Sequence, residues 1–210
     1  MLSKWDACRE LTAPPSEPVQ LWGEGGRRVF LHNKWGPAVP YPPARRAGGS
    51  QNFGYTRIKG SPELIEAIPE VAGFPELATF LARINSSESP IESVGCEKSF
   101  FPNDVQGQPP VYIGSYIDVL FTEMALNESA DNAIYLAANL LKAVELCEAW
   151  WASVSMMLQR FKSCPWGLML HITNHGRDEA EARKLWGVTL DRLGKAVQAL
   201  PKGFRRGSDA

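Results

Sequence analysis

His171 and His175 stand four residues apart, and Cys164 lies seven residues before the first of them. Imidazole and thiolate are zinc ligands, so these residues are where a metal protein or a metal-dependent enzyme would have its centre. The spacing argues against that chemistry. His-x3-His sets two ligands on one side when the segment is helical, but Leu168 to Thr173 reads as a strand running into the turn Asn174-His175-Gly176. A structural site also needs a fourth ligand, and none is nominated. Asp118 and His171 are the one acid/base pair that strand alternation turns to a common sheet face. In the strand order expected below, another strand separates them. The turn before the last helix has the form of a phosphate-binding loop, but Asp178, Glu179 and Glu181 already supply negative charge to that helix start. No G-x-S-x-G, P-loop, H-E-x-x-H or Gly-rich dinucleotide fingerprint occurs. The expectation is therefore a protein with no catalytic centre, no metal and no cofactor.

The elements that would carry these residues follow from periodicity. Val19–Trp22 and Arg27–His32 flank a Gly-rich turn and read as a hairpin, followed by a Pro-rich stretch to Ser50. Tyr55–Lys59 reads as a short strand. Ser61-Pro62 reads as a helix start, and the helix resumes after Pro75 with Leu77, Phe80, Leu81 and Ile84 on its apolar face. Ile91–Phe101 and Val111–Thr122 form an antiparallel pair, and a long helix is predicted from about Ala130 to Phe161. A strand at Leu168–Thr173 and a helix from Arg177 to about Leu200 close the chain. This order is βαββαβ with an extra C-terminal helix. It predicts an α+β fold, an antiparallel sheet with helices on one face in the ferredoxin-like manner. Residues 1–54 form a basic Pro/Gly-rich extension with a hairpin, and residues 55–210 the α+β body.

Alternation then selects a surface. In Val111–Thr122, Ile113, Ser115, Ile117, Val119 and Phe121 share one face and Tyr112, Tyr116 and Asp118 the other. With the helices on the apolar side, the open face presents Arg57, Lys59, Tyr112, Tyr116, Asp118 and His171. Such a face suits a partner surface or single-stranded nucleic acid, although the RNA-recognition pattern itself is absent. Seven tryptophans are a large number for 210 residues. Trp150 and Trp151 point about 100° apart on one helix, so one of them requires a second surface, such as another copy of the chain. Trp22 and Trp35 lie in the irregular extension, where aromatic residues anchor contacts.

Composition sets the broad class. Residues 1–60 carry nine Lys/Arg against four Asp/Glu, and residues 61–210 carry thirteen against nineteen. The acidic body would steer a basic partner and the basic arm an anionic one. Cys8, Cys96, Cys147 and Cys164 lie far apart with no C-x-x-C pair, which predicts reduced thiols and a cytoplasmic location. No apolar run is long enough to span a membrane, and no secretory signal is read at the N-terminus. The functional expectation is a non-enzymatic cytoplasmic protein that occludes a macromolecular partner, as a stoichiometric inhibitor such as an immunity or anti-defence protein does. The alternative is a nucleic-acid binder using Arg27, Arg28, Arg45, Arg46, Arg57 and Lys59. A second alternative is an enzyme or metal protein centred on His171 and His175.

Overall fold

The computed structural model describes residues 17–36, 38–45, 51–143, 152–161 and 166–200; for 32–36, 143 and 152–160 it describes the backbone alone. The N-terminal hairpin forms as expected, with β1 (Val19–Glu24) antiparallel to β2 (Arg27–Gly36). Gly25 and Gly26 both take positive φ, 53° and 80°, the two-residue turn whose twist matches the flanking strands. β3 (Ala44–Arg45) and β4 (Gln51–Asn52) make a second, minimal ladder. Two 3-10 turns, Pro62–Ala67 and Pro69–Val71, precede α1 (Pro75–Ile84). Then come β5 (Ile91–Pro102), β6 (Val111–Phe121), a 3-10 turn (Met124–Glu128) and α2 (Ala130–Ala143). β7 (Ala152–Phe161), β8 (Gly167–Gly176) and α3 (Glu179–Gln198) complete the described elements.

The architecture is mixed α and β, largely antiparallel, and it differs in three places from the ferredoxin-like expectation. The large sheet has six strands in the order β1-β2-β7-β8-β6-β5, so the hairpin belongs to the same sheet as β5 to β8. The seam between β2 and β7 is parallel, and every other pair in this sheet is antiparallel. Tyr55–Lys59 is not a strand. Tyr55 N–H donates to Tyr41 O, and Gly60 N–H to Asn85 O, so this backbone is held by loop contacts instead of a ladder.

The predicted helix to Phe161 is also corrected. α2 is described to Ala143, and Ala152–Phe161 is a strand inside the sheet, paired to β2 on one side and β8 on the other. Ser153-Val154-Ser155-Met156-Met157-Leu158-Gln159 satisfies a two-residue alternation as readily as a helical one, since Met and Leu suit both. Strand pairing on both edges decides the conformation there. Trp150 and Trp151 lie outside the described residues, as do Cys8, Cys147 and Cys164.

All three helices bury their apolar sides in one cluster with the same face of the sheet. Leu77, Phe80, Leu81 and Ile84 of α1, Leu136 and Leu140 of α2, and Trp186, Leu190 and Leu193 of α3 meet Ile113, Ile117, Leu168, Leu170 and Ile172. The strand split expected for β6 and β8 is the one observed. Buried polar groups are satisfied at the seams. Trp186 Nε1 donates to Ser115 Oγ at 2.8 Å, and Asn85 Nδ2 donates to Leu81 O and Ser93 Oγ while its Oδ1 accepts from Ser93 N. At Gly176 a Cβ would come within 2.3 Å of Ala182 N, so only glycine lets β8 run directly into the start of α3.

Asn127 plays the part of a missing strand at the end of β6. Its Oδ1 accepts from Phe121 N and its Nδ2 donates to Phe121 O, both at 2.9 Å and buried. Asn127→Ala removes both of these bonds to buried backbone groups, so urea unfolding should show a loss of about 2–4 kcal/mol. A loss below about 0.5 kcal/mol, within the range of a neutral surface change, would show that the backbone groups are satisfied in another way.

Candidate functional site

Among the described residues, the face of the sheet opposite the helices is covered over one part only. Val39 and Tyr55 pack there on Val94, Leu120 and Phe161, a small cluster that contains no helical residue. Tyr41 extends this cover: its hydroxyl donates to Val94 O at 2.9 Å, and its ring lies 6.1 Å from that of Tyr55. Tyr41 fits because β5 bulges between Ser93 and Gly95 and because residue 95 has no side chain. A Cβ there would stand 3.2 Å from Tyr41 Oη and 3.4 Å from Asp118 Oδ2. Burial, with the Asp118 charge adding to it, pushes the Tyr41 hydroxyl up to about 12. Burial likewise pushes the Cys96 thiol, on the helix side of the same strand, up to about 12.

Beyond this cover three rings cross three strands. Phe101 on β5 stacks on Tyr112 of β6, with centroids 5.1 Å apart and planes 24° apart. Tyr112 in turn lies 5.2 Å from His175 of β8. The register accounts for the row, since Phe101 is directly opposite Tyr112 and Tyr112 directly opposite His175. Gly114 makes room for it, because a Cβ there would press on the Phe101 ring at 3.3 Å. Asn103 steadies one end. Its Nδ2 lies 3.3 Å from His175 Nδ1 and donates to Pro109 O at 2.8 Å, while its backbone N–H bonds Pro110 O. Phe101 remains 41% exposed, so the row is an aromatic surface and not a core layer. The next row on this face is Ser99, Gly114 and Thr173, and the one after it is Glu97, Tyr116 and His171, along the pairing of β5, β6 and β8.

The structure thus brings together Tyr112, Tyr116 and His171 of the predicted face, and adds Phe101 and His175. The others are placed elsewhere. Asp118 is 5% exposed, beside Tyr41, and does not present itself to a partner. β6 and β8 are direct neighbours, contrary to the expected strand order, yet Asp118 is opposite Met169 and His171 opposite Tyr116. Arg57 pairs with Glu92 at 3.1 Å. Lys59 Nζ donates to Ser89 O and, at 2.8 Å, to Ile91 O, and burial lowers its pKa. Trp22 packs on the helix-side core with the Arg27 guanidinium 5.5 Å from its ring centroid. Arg27 Nη1 also donates to Leu141 O, so its charge serves the hairpin–α2 contact. Arg28 is exposed on the helix-free side of β2, in register with His171 across β7, and Arg45 is exposed on β3. Arg46 and the side chain of Trp35 lie outside the described residues.

The two histidines are not a ligand pair. Both lie on β8, which extends through Gly176 where a turn was expected, and both alternate to the helix-free side. Four residues of strand separate them by about 13 Å, too far for one metal ion. Among the described residues no group of three His, Cys, Asp or Glu is arranged to hold a metal. At the start of α3, Asp178 Oδ1 accepts from Glu181 N at 2.8 Å, and Glu181 accepts from Arg177 N–H and its guanidinium. The chain's own carboxylates fill the place an anion would take. Comparison with family models, with curated proteins and with solved structures finds no match for this chain. Its function must therefore be argued from this surface alone.

Phe101 belongs to this row and Gly114 gives it space, and neither is among the residues that strand alternation nominates. The signal was present in the turn Asn103–Pro110: pairing across it sets Phe101 opposite Tyr112 whenever the register is counted back from Pro102 and Val111.

Burial lowers the pKa of both His171 and His175 below 6.5. The folded chain favours the neutral rings, so the stability they contribute is complete above pH 6.5 and is lost as the pH falls toward their folded values. Glu181, held down by its bonds from Arg177, and Asp191, held down by Lys195 and Arg83, titrate below that window. The urea midpoint should drop between pH 7 and pH 5.5, and the drop should shrink in His175→Gln. An unchanged drop in that variant would remove His175 from the account.

Proposed function

We propose that the protein is a non-enzymatic binding protein that occludes a macromolecular partner, in the manner of a stoichiometric inhibitor, and that the partner is a protein. The single observation that carries this reading is the row Phe101, Tyr112, His175, exposed at Phe101 and half-buried at the other two, on a sheet face that no described helix covers. Aromatic rings held by register and by a clamped loop lose little entropy on docking, and they supply most of the energy in protein contacts. Tyr116 and His171 extend the surface inward from the row. Immunity and anti-defence proteins are examples of the class.

The charge pattern favours a protein over a nucleic acid as the partner. A nucleic-acid reader needs cations beside its stacking rings, but Arg27 and Arg57 are paired within the fold and Lys59 is spent on backbone carbonyls. Along β5 on this face the residues that follow Phe101 are Ser99 and then Glu97, neither of them a cation. No described helix is long and apolar enough to cross a membrane, which agrees with a partner met outside the bilayer. A cytoplasmic setting is part of this proposal and follows from the cysteine pattern.

The test is a complex of defined stoichiometry recovered from the native host and measured with variants. Phe101→Ala and Tyr112→Ala should each weaken it about tenfold or more, while Arg28→Ala and Arg45→Ala leave it unchanged. Equal affinity of all four variants for the partner would reject this face. Salt-sensitive binding of RNA or DNA that the two arginine variants abolish would replace the reading with the nucleic-acid one.

A further inference from the structure

The outer edge of β5 is treated differently along its length. Thr122 N–H donates to Pro90 O, which fixes the alternation: Pro90 and Glu92 point their backbone groups at β6, and Ile91 and Ser93 point theirs outward. Each of these outward groups is closed by a side chain. Ile91 O accepts from Lys59 Nζ, and Ser93 N–H donates to Asn85 Oδ1. At the bulge Val94 O accepts from the Tyr41 hydroxyl. After the bulge the parity shifts, so that Glu97, Ser99 and Phe101 face β6 while Cys96, Lys98 and Phe100 face outward. Cys96 is sheltered by the turn Pro69–Val71. From Lys98 onward no described strand or side chain takes up the outward N–H groups, and β5 ends the sheet.

The helix side of this same stretch carries an open groove and one uncompensated charge. The groove, of about 760 Å³, begins at Phe100 and runs between Glu76 and the residues Arg183, Gly187 and Val188 of α3. Two cations flank the ring of Phe74: Lys98 Nζ lies 3.8 Å from its centroid and the Arg183 guanidinium 4.7 Å. Arg183 is neutralised by Glu76 through two bonds, at 3.0 and 2.9 Å. Lys98 has no ion pair among the described residues. An outward backbone ladder, a groove in which Phe100, Ala180 and Val188 offer apolar surface among charged residues, and a cation with no ion pair among the described residues are the parts of a strand-addition site.

We propose that the edge of β5 from Lys98 to Pro102 accepts an extended segment of another protein as a seventh strand, with an acidic side chain of that segment set against Lys98 and an apolar one in the groove beside Phe100. The main-chain bonds supply affinity, and the two side chains, two positions apart on one face, supply selection. A second copy of this chain is the poorer occupant. Two-fold pairing centred on Lys98 sets like charges directly opposite each other, and pairing centred on Ser99 or Phe100 sets Lys98 opposite Phe100 or Pro102, with no carboxylate to meet it. Phe101 belongs both to this edge and to the row with Tyr112 and His175. The edge bonds through the Lys98 and Phe100 backbone and selects on the helix side, so Tyr112→Ala should leave peptide binding unchanged and separates the two sites.

The experiment uses the full chain, with a displayed library of random peptides of about ten residues as the probe and amide hydrogen exchange as the structural readout. Without peptide, the amides of Lys98 and Phe100 should exchange much faster than those of Glu97 and Ser99. Selected peptides should show an acidic residue two positions from an apolar one, and they should protect Lys98 and Phe100. Lys98→Glu should reverse the selection to basic peptides, a change of at least about tenfold in relative affinity. Lys98→Pro, which an edge strand tolerates, should abolish binding without lowering the urea midpoint appreciably. The proposal is overturned if the library yields no binder. It is also overturned if selected peptides bind Lys98→Pro as well as the parent, or if the two amides are already protected in the free monomer. Protection that appears only as the chain dimerises would assign the edge to a second copy and equally overturn it. In the case of no binder, Lys98 and Pro102 are edge guards against pairing.

Discussion

The described helices all lie on one face of a sheet six strands wide, and this asymmetry governs the rest of the structure. A sheet packed on one face only must either solvate the other or find cover for it. Among the described residues the cover is Val39, Tyr41 and Tyr55, which lie at Val94, Leu120 and Phe161. The bulge in β5 is what positions that cover. By adding Val94 to one strand it opens a seat for the Tyr41 hydroxyl, and it also resets which residues of β5 face β6. Upstream of the bulge the sheet edge is sealed by Lys59 and Asn85; downstream, Phe101 is aligned with Tyr112. One inserted residue therefore divides the sheet into a closed structural end and an aromatic end.

The charges follow the same division. The cations that sequence reasoning assigned to a partner are largely used internally: Arg57 on Glu92, Lys59 on carbonyls, Arg27 on Trp22 and Leu141 O. Each secures a segment that has no ladder of its own or joins two elements distant in sequence. Arg83 with Asp191 and Arg183 with Glu76 do the same between α1 and α3. On the helix-free face the aromatic, imidazole and hydroxyl groups of β6 and β8 are left, with the anion Glu97 and the cation Arg28 at opposite ends of the register line through Tyr116 and His171. That composition is suited to a protein surface and gives little hold on a phosphate backbone.

Much of this was legible in the residues. Strict alternation in Val111–Phe121 assigned both faces of β6, and the spacing of Leu77, Phe80, Leu81 and Ile84 assigned α1, because in each case one face is apolar throughout. The hairpin turn was legible because two consecutive glycines permit it. Two things were not. Ala152–Phe161 carries residues that satisfy helical and strand periods together, and only pairing with β2 and β8, both remote in sequence, selects the strand. That pairing also brings the hairpin into the sheet, a long-range choice that no local pattern encodes. The candidate site was half legible for the same reason. Tyr112, Tyr116 and His171 followed from alternation, whereas Phe101 needed the register across a turn and the burial of Asp118 needed the bulge.

The central claim is that the aromatic end of the helix-free face stands open in the intact chain. Hydroxyl-radical footprinting of the full-length monomer, read residue by residue by mass spectrometry, tests it most directly. The account predicts rapid oxidation of Phe101, Tyr112 and His171, and little at Trp186 and Phe80, which are 0% and 1% exposed. Protection of Phe101 and Tyr112 to the level of Trp186 in the monomer would contradict it, because the face would then already be covered by the chain itself.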